Sequence, residues 1–317
     1  MLILLYKHIF TNVRVSIYLR TMISINPKDI PTVKLHGYLL SAVSPRPIAL
    51  ASTVDEAGNI NLAPFSFFNV FSANPPILIF SPARRVRGNT TKHTLENAIK
   101  TKEVVINIVN HAMVQQMSLS STEYAEGVNE FTKAGFTEVV SDIVKPPRVK
   151  EAPVQFECKV NEVIALGTEG GAGNLIIAEV VKLHIDESIL DSEENIDPLK
   201  IDTVARMGGN WYSRAKEGIF EVQKPIRTMG IGVDALPESI KNSTVLTGND
   251  LGILGNSEKI PTEDEVKEFI KEGIARCPHI NTANKENTQK QAQDMLRKGV
   301  VFDAFRLLMA IDLMNIK

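Results

Sequence analysis

The segment from Ser44 to Thr94 constrains the fold of this chain more than any other stretch. It contains three runs rich in β-branched and aromatic residues, PIALASTV, NLAPFSFFNVF and PILIFS. The turn sequence DEAGN and the double proline of SANPP separate these runs, and consecutive prolines exclude a helix there. Strands this short, joined by short turns, favour an antiparallel barrel over a doubly wound parallel sheet.

Further patterns extend this prediction along the chain. The apolar spacing of TTKHTLENAIKT predicts a short helix with Asn89, Thr90 or Thr91 as its N-cap. A second helix is expected from about His111 to Ser121. The runs typical of strands are 47–54, 61–71, 76–81, 103–110, 154–166 and 175–185. The fold class is therefore mainly β with added helices.

Composition excludes several classes of function. The chain has 35 basic and 37 acidic side chains, so its net charge of −2 gives no overall field that would draw it to nucleic acid or to an anionic membrane. Cys158 and Cys277 match no metal-ligand spacing, and the histidines show no HxxxH pattern, so no metal site is expected. Two distant thiols fit a reducing compartment, and we expect a cytoplasmic protein with Cys158 buried in a strand.

The first 21 residues differ in character from those that follow. They are apolar, but Lys7, Arg14 and Arg20 interrupt them, so they meet the criteria for neither a signal peptide nor a membrane span. A second possible start lies at Met22. We therefore expect residues 1–21 to be a disordered arm or a mis-assigned start.

A dense group of anion-binding side chains follows the third apolar run. Its members are Arg84, Arg85, Arg87, Lys92 and the hydroxyls of Thr90, Thr91 and Thr94. They lie in a loop that leads into a helix N-terminus, where free N–H groups and the helix dipole favour an anion. Guanidinium, ammonium and hydroxyl groups suit a phosphate, so the loop indicates a phosphate site. A solvated surface loop with a threonine N-cap is the alternative.

The ordered motifs SPRPIALAST, NLAPFSFF, NPPILIFSPARR, TKHTLENA and EVVINIV resemble the flavin reductase-like family. The likeness continues through KPPRVKEA to RMGGNWYSR and covers roughly residues 34–220. It implies a Greek-key split barrel that binds FMN, with NADH or NADPH as hydride donor. It also implies a homodimer with the flavin at the subunit interface. Residues 22–220 would form the FMN-binding domain, and residues 221–317 a helical extension.

The resemblance also implies a set of cofactor-binding residues. They are Arg46, Ser52, Thr53, Asn61, Ala63, Phe65, Ser66, Ser81, Arg84, Lys92, Thr94, Gly208 and Tyr212. Within this set, Arg84, Lys92 and Thr94 would lie near the phosphate. The backbone around Asn61 and Ser66 would face the edge of the isoalloxazine ring.

The motif RMGGNWY has two interpretations. Gly208 and Gly209 would let the backbone approach the ring closely, with Tyr212 offering a hydroxyl. Without the upstream motifs, the same residues are typical of a glycine turn followed by core aromatics.

The resemblance predicts an FMN-dependent oxidoreductase in which the chemistry belongs to the cofactor, so no catalytic side chain is expected. Electrons would pass to free flavin, a small acceptor or a partner protein. No GxGxxG motif distinguishes NADH from NADPH. An FMN-binding electron carrier with little reductase activity is the alternative. A barrel for another ligand, such as haem, is a third hypothesis, against which Arg84, Lys92 and Thr94 argue.

The residues after about 220 carry helical patterns. PTEDEVKEFIKEGI has Thr262 and Glu265 at capping-box spacing, and the apolar positions from 287 to 314 predict a second, long helix. Both helices are amphipathic. These two helices could cover a barrel edge, extend a dimer interface or close over the flavin, and their sequences are compatible with each role.

Overall fold

The computed structural model describes residues 22–125, 127–222, 229–276 and 284–314. The chain divides between Ile219 and Phe220 into two compact units, called unit 1 and unit 2. The expected N-terminal arm, residues 1–21, lies outside the described residues, as does Cys277. Among the helices of the described ranges, none has the length and apolar character needed to cross a membrane.

Unit 1 is built mainly from short strands. In chain order they are β1 (Ala49–Val54), β2 (Ile60–Phe65), β3 (Phe68–Ala73), β4 (Pro76–Phe80), β5 (Glu103–Ile108), β6 (Glu138–Val139), β7 (Arg148–Val149), β8 (Val154–Ala165), β9 (Asn174–Ile185), β10 (Val204–Arg206) and β11 (Tyr212–Arg214). Its helices are α1 (Thr32–Ala42), α2 (His93–Thr101), α3 (Val114–Leu119), α4 (Glu130–Ala134) and α5 (Pro198–Ile201). Single turns of 3-10 helix occur at Pro27–Asp29, His111–Met113, Glu187–Ile189 and Ala215–Glu217.

Seven strands form one antiparallel sheet in the order β2-β1-β5-β8-β9-β4-β3. Its two edges, β2 and β3, are consecutive in the chain and are joined only by Ser66 and Phe67. Because two residues span a short distance, the sheet must curl until its edges meet at this corner. The sheet is therefore a split barrel, which confirms the predicted antiparallel barrel with added helices.

The core of unit 1 lies on both faces of the sheet. Strand β1 is buried along its whole length, and its side chains alternate between two clusters. Ala49 and Ala51 pack in one cluster with Phe80, whereas Leu50 packs in the other with Phe131. Cys158 is fully buried in the first cluster, as predicted from the sequence, and burial raises the pKa of its thiol.

One strand prediction is wrong in extent. The run 61–71 is not one strand, because the chain turns at Ser66 and Phe67 to pass from β2 to the opposite edge of the sheet. Both sides of this corner are apolar, Phe65 before it and Phe68 after it, because both pack against the same core cluster. The apolar residues on both sides therefore obscure the corner, and Ser66 is the one polar residue within it.

Unit 2 is helical. Its helices are α6 (Glu238–Lys241), α7 (Gly248–Gly255), α8 (Glu263–Arg276), α9 (Lys285–Arg297) and α10 (Val301–Leu313). The predicted capping box at the start of α8 is confirmed, since Thr262 N–H donates to Glu265 Oε2 at 2.7 Å and Glu265 N–H donates to Thr262 Oγ1 at 3.3 Å. The single helix predicted from 287 to 314 is wrong. The chain turns at Gly299, whose φ of +77° is readily adopted only by glycine.

Candidate functional site

The loop between β4 and α2 is folded on itself by two arginines. Arg84 Nε donates to Asn89 Oδ1 at 2.6 Å, and Arg84 Nη2 donates to the Asn89 carbonyl at 2.7 Å. Arg85 Nε donates to Glu123 Oε1 at 2.9 Å, and Arg85 Nη1 donates to Thr90 Oγ1 at 3.0 Å. Positive φ angles at Gly88 and Asn89 make the tight turn possible. Of the two guanidinium groups, that of Arg84 has no carboxylate partner among the described residues.

Helix α2 starts later than predicted and has no side-chain cap. Its N-cap is Lys92, and not Asn89, Thr90 or Thr91. These three residues are used elsewhere in the loop: Asn89 and Thr90 accept hydrogen bonds from the two arginines, and the Thr91 hydroxyl donates to Glu96. The first N–H groups of α2 are therefore left without a side-chain acceptor, which is the arrangement that favours an anion.

Lys92 is a cation without an anionic partner among the residues that the structure describes. Its ammonium lies 5.5 Å from the centroid of the Phe65 ring and makes no ion pair with any residue in the described ranges. Burial lowers the pKa of Lys92, and the nearby positive charge of Arg85 lowers it further, although Glu123 partly offsets this. An anion bound here would relieve the repulsion between Lys92 and Arg85.

Buried polar pairs connect this helix to the sheet. Asn61 Nδ2 donates to Thr94 Oγ1 at 2.8 Å, and Asn97 Nδ2 donates to Thr53 Oγ1 at 3.1 Å. Asn61 and Thr53 are directly opposite each other on β2 and β1. The two bonds therefore fix the start of α2 against the first hairpin.

Alternate residues of β2 point to the face that α2 covers. Asn61, Ala63 and Phe65 share this face because side chains alternate along a strand. The Phe65 ring packs against Phe80 with centroids 5.3 Å apart. Lys92 and Thr94 contact Phe65 and Asn61 respectively, so four of the expected cofactor residues lie together with Ala63 beside them.

A second group of expected residues surrounds the corner between β2 and β3. The guanidinium of Arg46 donates to the carbonyls of Leu40 and Val43 at the end of α1, and to the carbonyl of Met207 at 2.9 Å. It also reaches Ser66 Oγ at 3.5 Å. Burial, followed by the charge of Arg206, lowers the pKa of Arg46. Arg46 therefore ties α1, the β10–β11 pair and the corner together.

The RMGGNWY motif forms the turn between β10 and β11. A Cβ on Gly208 would meet the Ser41 hydroxyl and lie 3.2 Å from Ser41 Cα, so α1 packs closely against this glycine. The guanidinium of Arg206 lies 4.6 Å from the Tyr212 ring centroid, and Tyr212 packs against the second core cluster. The motif is thus a glycine turn with Tyr212 partly buried, while Trp211 is 77% exposed and is not a core aromatic. Both interpretations of the motif remain compatible with this geometry.

The remaining expected residues are held by bonds of their own. The Ser52 hydroxyl donates to the Pro147 carbonyl, and Ser52 and Thr53 are both fully buried. Ser81 Oγ accepts from Asn174 N–H at 3.0 Å, while Ser81 N–H donates to the Phe67 carbonyl at 2.8 Å, which places Ser81 beside the corner. The side chains of Ser52 and Thr53 therefore do not reach the surface around Lys92.

The site includes residues that the sequence prediction left out. Arg206 lies inside the RMGGNWYSR motif that carried the resemblance, so its guanidinium group could have been identified from sequence. Arg85 belongs to the predicted phosphate loop, although it is not in the set of cofactor-binding residues. Asn97 lies three residues after Thr94, on the same face of α2, and this helical spacing could have identified it. Glu130 accepts from Leu62 N–H at 2.9 Å and covers the open edge of β2, a contact between distant segments that sequence spacing does not reveal.

One cluster of possible metal-ligating groups is present in the described part of unit 1. Asp142, Glu157 and His184 each offer an atom within 4.8 Å of the others. Glu157 already accepts from three backbone N–H groups and lies 2.7 Å from His184, while Asp142 pairs with Lys182 at 2.6 Å. The protein's own donors therefore occupy these carboxylates.

Comparisons with known proteins agree with this architecture. Residues 41–200, half of the chain, match the family model described as flavin reductase like domain. An uncharacterized protein of Aquifex aeolicus (strain VF5) is 39% identical over 181 residues, which cover 57% of this chain and 90% of that protein. Nitrilotriacetate monooxygenase component B from Bacillus cereus superposes with a TM-score of 0.60 at 30% identity, covering 64% of this chain and 99% of that one.

A flavoredoxin from Methanosarcina acetivorans shares the fold, with a TM-score of 0.51 at 20% identity over 66% of this chain and 97% of its own. The matched region contains the sheet, the arginine loop and helix α2. The chain belongs to the flavin reductase-like family.

Proposed function

We propose that this protein is an FMN-dependent oxidoreductase that takes hydride from NADH or NADPH and passes electrons to free flavin, a small acceptor or a partner protein. The observation that carries this proposal is the unpaired Lys92 beside Arg85 at the uncapped N-terminus of α2. Family membership supports a flavin, and this cationic site supports a flavin that carries a phosphate.

The residues present fit the phosphate of FMN. Lys92 would supply a charge, the first N–H groups of α2 would donate hydrogen bonds, and Thr94 keeps a hydroxyl hydrogen because its oxygen accepts from Asn61. Arg84 can join them by exchanging its bonds to Asn89 for bonds to phosphate. Riboflavin, which lacks the phosphate, would lose all of these contacts.

The residues around the corner would position the ring system. Phe65 ends the edge strand β2 and Ser66 begins the corner, where Arg46 holds Ser66 in place against α1 and the β10–β11 pair. Bound FMN supplies the hydride-accepting chemistry, so the side chains need only bind, orient and exclude water. No proton transfer by a side chain is part of this proposal.

We also propose a homodimer with the flavin at the subunit interface. Helix α1 has no buried residue, although Val33 and Leu39 are apolar. Val70 and Phe71 on the edge strand β3 are each 64% exposed. Apolar surface on an unpaired edge strand favours association, and a second copy of the chain would cover it.

The remaining parts of the proposal concern organisation and location. Residues 22–220 would be the FMN-binding domain and residues 221–317 a helical extension. A cytoplasmic location would give the enzyme access to reduced nicotinamide cofactors. Sedimentation velocity with and without FMN tests this proposal. We expect the FMN-loaded sample to sediment with the mass of two chains.

The decisive experiment is the visible absorption spectrum of the purified chain loaded with FMN, followed by anaerobic addition of NADH and, separately, NADPH. Flavin bands that bleach within seconds support the reductase and identify its donor. Flavin bands that persist with both donors contradict the reductase and support the FMN-binding electron carrier. A chain that cannot be loaded with FMN overturns the cofactor assignment itself.

A further inference from the structure

Unit 2 contains a polar pocket that lies at the N-terminus of α9. Its volume is about 460 Å³, and its wall combines the loop after α6 with the first turn of α9. The side chains used below are those of Ser243, Thr244, Asn284, Lys285, Glu286 and Gln289. The family model ends at residue 200, so it assigns no role to this pocket.

Gln289 is the side chain that points to a ligand. It is only 4% exposed, it lines the pocket, and its amide makes no hydrogen bond with any residue that the structure describes. Its amide atoms are not among the fully enclosed unpaired atoms of the described residues, so the amide opens into the pocket. A group bound in the pocket can therefore complete the hydrogen bonds of this amide.

The charges around Gln289 favour an anion. Asn284 Oδ1 caps the N–H of Asn287 at 2.8 Å, which leaves the N–H groups of Lys285 and Glu286 at the start of this 13-residue helix. The Lys285 ammonium makes no ion pair within the described ranges. Glu286 also lies in the wall, but its carboxylate is paired with Lys290 at 2.6 Å.

The loop after α6 supplies hydroxyl donors to the same pocket. Ser243 Oγ accepts from the N–H groups of Val245 and Leu246, at 3.1 Å each, so its own O–H is left to donate. Thr244 contributes a second hydroxyl. Backbone N–H, ammonium, amide and hydroxyl donors thus line the same pocket, and this set of donors suits a phosphate.

We propose that this pocket binds the phosphate group of a small phosphorylated molecule. The site is separate from the flavin site and does not depend on the proposed function. A readout confined to unit 2 therefore tests it independently. The test is hydrogen–deuterium exchange of the peptide that spans residues 284–297 in the full chain, titrated with inorganic phosphate at constant ionic strength.

We expect phosphate to slow exchange at the start of α9, with no effect from chloride or acetate. Gln289→Leu keeps the volume of the side chain but removes its amide, and should raise the phosphate Kd about tenfold. Lys285→Gln should weaken binding to a similar extent, whereas Lys298→Gln at the other end of α9 should leave it unchanged. Circular dichroism verifies that each variant is folded.

Three results would overturn the proposal. The first is an exchange rate that phosphate does not change in the unmodified chain. The second is a folded Gln289→Leu variant that responds to phosphate like the unmodified chain. The third is protection by acetate equal to that by phosphate, which would show a general anion effect at a helix N-terminus.

Discussion

The side-chain amide of Asn61 donates a 2.8 Å hydrogen bond to the hydroxyl oxygen of Thr94, although 33 residues separate them in the sequence. Asn61 lies on the edge strand β2, and Thr94 lies in the first turn of α2. Both side chains are largely buried, so removal of either partner leaves the other poorly paired. This bond therefore sets where the uncapped start of α2 lies relative to the strand expected to contact the flavin.

The Asn61–Thr94 bond predicts a measurable coupling energy. Thr94→Val removes the hydroxyl at almost constant volume and leaves the Asn61 amide unpaired, which should lower the free energy of unfolding by about 1–3 kcal/mol. Combined with Asn61→Ala, it should show a coupling of about 1 kcal/mol in a double-mutant cycle. Urea unfolding followed by circular dichroism measures all four proteins.

A matched cycle provides the control. Asn61→Ala combined with Glu162→Gln, an exposed residue on β8, should be additive within a few tenths of a kcal/mol. If the Asn61 and Thr94 substitutions are equally additive, the bond does not connect the strand to the helix in solution.

Lys92 should discriminate between FMN and riboflavin. Lys92→Met keeps the length and the apolar contact with Phe65 but removes the charge. A hydrogen bond to a charged group contributes about 1.5–3 kcal/mol, so the FMN Kd should rise by roughly 10- to 100-fold, with little change for riboflavin. Titration monitored by flavin fluorescence measures both constants.

Lys100→Gln is the control for this charge change. Lys100 lies in the last turn of the same helix, paired loosely with Glu56 at 3.7 Å, and its loss should leave FMN binding unaltered. Equal weakening of FMN and riboflavin by Lys92→Met would argue against a phosphate contact.

Sequence patterns were sufficient where the interactions are local. The β-type composition of PIALASTV predicts β1, and the spacing of Thr262 and Glu265 predicts the cap of α8. Gly299 could have indicated that the helix ends between α9 and α10. The apolar periodicity continues on both sides of this glycine, however, and therefore predicts a single helix.

The sequence predictions that the structure corrects depend on contacts between distant segments. Thr90 could not be excluded as an N-cap from sequence, because its hydroxyl is taken by Arg85 only in the folded loop. Likewise, the sequence around Gly208 is typical of a flexible turn. Only the packing of α1 shows that Ser41 lies where a side chain at position 208 would be. Physical interactions of this kind are set by tertiary structure, which spacing along the chain does not encode.

Gly208→Ala tests that packing. The new Cβ would lie 3.2 Å from Ser41 Cα and closer still to its side chain, so the Ser41 side chain must rotate and α1 or the β10–β11 turn must shift slightly. We expect a loss of about 1–3 kcal/mol in the free energy of unfolding and weaker FMN binding, because Arg46 is held by the carbonyls of α1 and of Met207.

Gly218→Ala is the matched control, since a Cβ there would meet no atom within 4 Å. This second variant should match the unmodified chain in both stability and FMN affinity. A Gly208→Ala protein that also matches it would show that α1 is not packed against the turn in solution.

Glu157 should make the stability of the protein sensitive to acid. Burial alone would raise the pKa of this carboxyl, but hydrogen bonds from the backbone N–H of Asp142 and from His184, together with those of Ile143 and Val144, lower it to about 2. Because the pKa in the folded state lies below the ordinary value of 4.5, the stabilisation is complete above about pH 4.5. It is lost as the pH falls from there towards 2, and amounts to on the order of 3 kcal/mol.

Replacing Glu157 by Gln tests this assignment because the amide has the same shape and cannot titrate. The Glu157→Gln protein should be less stable at neutral pH, and its free energy of unfolding should change less between pH 5 and pH 2 than that of the unmodified chain. Glu162→Gln, on the same strand but exposed, should retain the full acid dependence. Denaturant unfolding at a series of pH values measures the slopes, and parallel curves for Glu157→Gln and the unmodified chain would mean that other carboxyls cause the acid sensitivity.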